Sequence, residues 1–167
     1  MTPQDEADFL GHLKYELDAL YVLTEMIQSL KFMRFPLDSF LLECCLTHFR
    51  VVWDFFYGDD SHALTVRAFL SDEKVRATRP KQPKRLKDIR YWVNSTVVHL
   101  GLNRIKPERK VKEPRMEDIA EIRLHLENLF TGFLAALDER QKAAFVNPLA
   151  HKLQNYKTLR IPASPPL

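Results

Sequence analysis

The sequence predicts an all-α protein: a bundle of four long helices with short helical pieces between them. Three observations carry this. Apolar residues recur at three- and four-residue steps along most of the chain, the spacing that lines one face of a helix. There are only four glycines, too few for the tight turns of a sandwich or barrel. Four segments each carry an apolar face, and packing such faces together in a bundle is the simplest way to bury them.

The first helix is expected from about residue 4 to about residue 32. Phe9, Leu13, Leu17, Leu20, Ile27 and Leu30 mark its apolar face, with Leu23 or Thr24 filling the gap. Asp5, Glu6 and Asp8 suit its positive pole, and Lys31 and Arg34 its negative pole. Pro36 ends it and opens the second helix, which runs to Tyr57 and Gly58. The second helix is apolar nearly all round, from Phe40 through Phe56, so burial on most sides is expected. Its polar exceptions are Glu43, Thr47, Arg50 and Asp54, spaced four, three and four apart. They form one stripe, read as a solvent-facing or salt-bridged edge, or as a seam facing a site or a second subunit.

Between Gly58 and Pro83 the periodicity lapses. A turn at Asp59 to His62 and one or two short helical turns between Ala63 and Leu70 are expected. Arg79-Pro80-Lys81-Gln82-Pro83 cannot be regular helix. A third helix is predicted over 84–100, with Leu86, Ile89, Val93, Val97 and Leu100 inward and Gly101 as its carboxyl cap. Residues 103–115 read as a basic, proline-punctuated arm. The fourth long helix starts near residues 114–117 and continues to about Val146 through Ile119, Ile122, Leu126, Leu129, Phe133 and Leu137. A short helix is expected over 149–156. Residues 1–158 then make one domain and 159–167 an extended, proline-rich tail.

Charge is distributed unevenly. From Lys74 to Arg115 there are 14 lysines and arginines against three acids, a local charge of +11, while the rest of the chain carries −8. The total of +3 hides this asymmetry. Two basic arms flank the third helix, which points to an anionic partner, most plausibly nucleic acid. Arg85, Lys87, Arg90, Arg104, Lys106, Arg109 and Lys110 are the candidate contacts.

Several chemistries are excluded by what is missing. The chain has no Gly-x-x-x-x-Gly-Lys, no Gly-x-Gly-x-x-Gly and no His-Glu-x-x-His. The histidines stand apart at 12, 48, 62, 99, 125 and 151, so neither metal nor cofactor is expected. Cys44 and Cys45 are neighbours, about 100° apart around a helix, and read as reduced core residues of a reducing compartment. The acidic start lacks a signal-peptide core, and charges interrupt the most apolar run, so no membrane span and a cytoplasmic setting are expected. His99 is the leading catalytic candidate: a histidine at a helix end, near cations able to hold a phosphate. The alternative role for such a residue is capping free carbonyls. Trp92 reads as a packing residue rather than a stacking platform.

The string Asn94-Ser95-Thr96-Val97-Val98-His99 near the end of a late helix in a four-helix bundle resembles the HEPN superfamily (higher eukaryotes and prokaryotes nucleotide-binding). The resemblance would span roughly residues 4–140. It implies a metal-independent ribonuclease or RNA-binding protein acting as a homodimer, in a toxin–antitoxin or phage-defence setting with an antitoxin partner. His99 would transfer the proton and Asn94 would orient it. The family's arginine lies five to seven residues before the histidine, where this chain has Asn94, Val93 and Trp92; Arg90 lies nine before. The resemblance therefore leaves two readings open: an RNA-cleaving or RNA-binding member, and a non-catalytic helical dimerisation or interaction module.

Overall fold

A computed structural model describes residues 2–29, 37–58, 63–95 and 112–145. These residues are all-α: α1 (Pro3–Ser29), α2 (Leu37–Tyr57), a 3-10 turn (Val66–Ala68), α3 (Asp72–Thr78), α4 (Lys84–Val93), α5 (Met116–Ala136) and α6 (Glu139–Phe145). No strand occurs among the described residues. The predicted ends of the first and third helices, the turn over 59–62, the short helix over 149–156 and the tail lie outside them.

Local chemistry explains the helix boundaries. Thr2 and Asp5 cap α1 reciprocally: Asp5 Oδ2 accepts from the Thr2 amide at 2.9 Å, and Thr2 Oγ1 accepts from the Asp5 amide at 3.2 Å. Pro3 then takes the first helical position, where its missing donor costs nothing. α3 forms where the sequence suggested only irregular chain. Ser71 caps it, accepting from the Lys74 amide, and Asp72 and Glu73 occupy its first turn.

The fourth predicted helix is broken in two. Leu137 takes an extended conformation (φ −69°, ψ 152°). Asp138 and Gln141 then start α6 with a reciprocal cap, at 2.8 Å and 3.1 Å. Gln141 also donates to Glu6 Oε1 at 2.7 Å, which ties α6 to the start of α1. The break lets α6 fold back on α1, which a straight helix to Val146 would not allow.

α5 packs on α1, α3 and α4, while α2 packs on α1 and α4. Its inward residues Cys45, Leu46, Phe49, Val52, Phe55 and Phe56 meet Leu10, Leu13, Leu20 and Ile27 of α1 and Ile119, Ile122, Leu129 and Phe133 of α5 in one core. α2 is not buried on all sides. Phe40 and Val51 are 62% and 44% exposed, because α1 and α4 cover only part of the helix. Where α3 crosses α5, a Cβ at Gly132 would stand 3.1 Å from the Thr78 carbonyl oxygen, close enough that the backbone would have to give by a few tenths of an ångström.

Candidate nucleic-acid interface

α4 starts with cations. Its first turn holds no acid, and Pro83 at the cap offers no side-chain acceptor. Arg85 is fixed by a four-way set of hydrogen bonds. Its Nε and Nη2 donate to Asp118 Oδ1 and Oδ2 at 2.8 Å and 2.5 Å. Its Nη1 donates to the Lys112 carbonyl at 2.7 Å, and Nη2 to the Glu113 carbonyl at 2.9 Å. A guanidinium has five N–H donors, so one remains. This fork raises the Arg85 pKa and, chiefly through the Arg85 hydrogen bonds, holds Asp118 below the ordinary carboxylate value. Asp118 also accepts from the Arg115 amide at 2.7 Å, so it caps α5 as well.

Arg85 is thus a strut. It draws the end of the second basic arm, residues 112–115, against the start of α4, where the first arm ends. Lys81, Lys84, Lys87, Lys112 and Arg115 are exposed around this junction. Glu113 and Glu117 are exposed there too, and Asp88 is half-buried, so the surface is basic but not uniformly so.

Arg90 is also engaged. Its Nε donates to Asp54 Oδ1 at 2.8 Å, and Arg50 Nε stands 3.5 Å from the other oxygen of Asp54. Asp54 therefore receives two guanidiniums, one from each of two packed helices. This divides the predicted α2 stripe. Arg50 and Asp54 are half-buried in that ion cluster, while Glu43 and Thr47 face solvent, with the Thr47 hydroxyl donating to the Glu43 carbonyl at 2.8 Å. Asn94 is half-buried and its amide closes the last turn of α4 onto the Arg90 and Tyr91 carbonyls. His99, Arg104, Lys106, Arg109 and Lys110 lie outside the described residues.

A second polar cluster went unread in the sequence. His125 on α5 is buried beside Trp53 and stacked on Tyr57, with ring centroids 5.7 Å and 5.9 Å apart. The Tyr57 hydroxyl donates to the Pro80 carbonyl at 3.0 Å and lies 3.0 Å from His125 Nε2. Its single proton goes to Pro80, so His125 carries its own proton on Nε2 and donates it to Tyr57. Burial lowers the His125 pKa and pushes the Tyr57 hydroxyl up to about 12. Both stay neutral near pH 7, which suits a strut holding the proline-rich loop on α2 and α5 rather than a proton-transfer pair. Arg79 caps the cluster, its guanidinium 5.5 Å from the Tyr57 ring centre.

A depressed histidine pKa stabilises the fold above the unfolded value of 6.5, and that stability is lost as pH falls through the folded value. The melting midpoint should therefore fall between about pH 7 and about pH 5. In His125→Gln, which retains a donor but does not titrate, the fall should be smaller. Parallel acid slopes in a differential scan of both proteins would remove His125 from this role.

Cys44 and Cys45 are free, and burial pushes the Cys45 thiol up to about 12, far from the reactive thiolate range. Among the described residues no group of His, Cys, Asp or Glu is placed to hold a metal, and no helix is long and apolar enough to cross a membrane.

The fold and the charged junction define an all-α helical protein with a basic face. No family model, no curated protein and no solved structure matches this chain.

Proposed function

We propose that this chain is a HEPN-like protein that binds RNA through the junction of its two basic arms. The observation that supports it is the Arg85 strut. Fixing the second arm against α4 brings the exposed Lys112 and Arg115 towards Lys81, Lys84 and Lys87, as a phosphate-tracking surface requires. On this reading Arg85 and Arg90 build the surface, and Lys84, Lys87, Lys112 and Arg115 meet phosphate. RNA cleavage without a metal is the fuller form of the proposal, with His99 as proton-transfer residue, Asn94 as its neighbour and Arg104, Lys106, Arg109 and Lys110 completing the clamp. A cytoplasmic homodimer in a phage-defence system, paired with an antitoxin, is the setting the resemblance suggests.

The test is fluorescence anisotropy with labelled RNA from about 50 mM to about 200 mM salt, where several phosphate contacts should weaken binding by orders of magnitude. Absence of binding at low salt ends the RNA reading. A chelator-treated nuclease assay should show cleavage by the wild type and none by His99→Ala. Equal cleavage by both removes His99 from the chemistry.

A second reading, a helical interaction module, is favoured by the face of α2 that the core leaves uncovered. Phe40, Glu43, Thr47 and Val51 lie along it at three- and four-residue steps, all exposed. A second copy would cover it. Light scattering of the wild type and Val51→Glu decides this: a dimer that the substitution dissociates supports the module, and a monomer in both dismisses it.

A further inference from the structure

Arg79, at the carboxyl cap of α3, is a half-buried arginine without a carboxylate. The other half-buried arginines among the described residues each meet one. Arg50 and Arg90 meet Asp54, Arg85 meets Asp118, and Arg123 meets Glu25 and Glu127. Arg79 Nε and Nη2 are buried, and neither has a hydrogen-bond partner. A buried donor without an acceptor is costly, and a charged one more so. The guanidinium does have a neighbour in the Tyr57 ring, whose centre lies 5.5 Å from its carbon. A π-face is only a weak acceptor, and the Tyr57 hydroxyl is engaged with Pro80 and His125. The ring contact therefore leaves both N–H groups without an oxygen.

Nε and Nη2 lie along one edge of the guanidinium. Arg85 uses the same two atoms to hold both oxygens of Asp118. The Arg79 edge has this two-point form, and no acceptor of the chain meets it. A second cation stands beside it. Arg67, in the 3-10 turn, is exposed, and its Nε is 3.7 Å from Asp72 Oδ1, too long for a hydrogen bond. Burial lowers the Arg79 pKa, and the charge of Arg67 lowers it further, against the opposing effects of Tyr57 and Asp72. Two guanidiniums thus share one exposed carboxylate. We infer that the Nε–Nη2 edge of Arg79, with Arg67 beside it, is a binding site for a phosphate group. A phosphate monoester carries about −1.5 to −2 charge at pH 7, which suits two cations better than a carboxylate does. Burial of the edge strengthens a charge-assisted bond made there. It also favours a free ion or the end of a chain over an internal phosphodiester, which sugars flank on both sides. The inference does not rest on the basic junction around Arg85.

Titration with inorganic phosphate at fixed ionic strength, followed by phosphorus NMR, should give saturable binding by the wild type. Arg79→Lys keeps the charge but loses the two-donor edge. It should weaken binding about tenfold, the range of one charge-assisted hydrogen bond. Arg67→Gln should weaken it by about threefold, because that side chain is exposed and screened. Arg140→Gln, which removes a similarly exposed guanidinium on α6, should leave it unchanged. Melting midpoints establish that each variant is folded, and phosphate should raise the midpoint of the wild type but not of Arg79→Lys. Anisotropy with labelled oligoadenylates that end in a phosphate or a hydroxyl separates the two sources. A preference for the phosphate end that Arg79→Lys abolishes assigns the site to a chain terminus, and equal affinities assign it to the free ion. Phosphate binding that does not saturate, or that Arg79→Lys leaves as tight as in the wild type, overturns the site.

Discussion

Phe133→Ala should destabilise the protein by about 3–5 kcal/mol, the cost of emptying a filled aromatic site. Phe133 is fully buried on α5, and its ring meets Phe55 and Phe56 of α2 edge-on, at 5.6 Å and 5.5 Å. Those contacts join the apolar faces of α2 and α5, so the cavity would open in the core between them. A domain of this kind has roughly 5–15 kcal/mol in total, and the variant would keep little of it. Leu124→Ala is the matched control. It lies on the same helix and is 62% exposed, so its effect should stay within about 0.5 kcal/mol. Urea titration followed by circular dichroism gives both values, with the midpoint moving and the slope unchanged. Equal costs for the two would mean that α5 does not pack as described.

The long helices were legible because their burial is periodic. Leu13, Leu20 and Ile27 on α1, and Ile119, Ile122, Leu126, Leu129 and Phe133 on α5, are core residues at the spacing that the sequence displays. α3 and α6 were not legible in this way. Seven residues make two turns, too short for periodicity to stand out, and both are marked instead by their caps. Ser71 with two following acids, and Asp138 with Gln141 three residues later, were the available signals. Phe40 and Val51 count among the apolar residues of a helix expected to be buried on most sides; which side stays open depends on the neighbours, which sequence alone does not place.

The charge asymmetry of the candidate surface was visible in the sequence, but its wiring was not. Arg85 meets Asp118 across 33 residues, Arg90 meets Asp54 across 36, and Tyr57 meets His125 across 68. No local spacing encodes such pairs. Sequence counted Arg85, Lys87 and Arg90 alike as phosphate contacts. In the folded chain two of the three hold helices together, and Lys87 between them faces solvent. That sorting is what makes α4 a scaffold as well as a surface.

On the proposed reading of the basic junction as an RNA surface, Asp118→Asn should weaken binding about tenfold even though it makes the protein more basic. Two effects oppose each other. Removing one carboxylate adds a unit of positive charge near the surface, worth less than about 1 kcal/mol where solvent screens it. The same change removes the anion that anchors Arg85, and with it the hold on the Lys112 and Glu113 carbonyls. Lys112 and Glu113, whose carbonyls Arg85 holds, would then have to be ordered on binding, at about 1–2 kcal/mol for each backbone fixed. The ordering cost is the larger, so affinity should fall, and folding stability should drop by about 1–3 kcal/mol with the loss of a charge-assisted fork. The pH dependence separates the anchor from a general loosening. Asp118 is depressed in the folded protein, so its contribution is complete above the ordinary value of 3.8 and is lost as pH falls through the lower folded value. That part of the acid slope should vanish in Asp118→Asn. Anisotropy and urea titration of the same preparation read all three quantities. Tighter binding in the variant would show that the arm needs no strut and that net charge alone sets affinity.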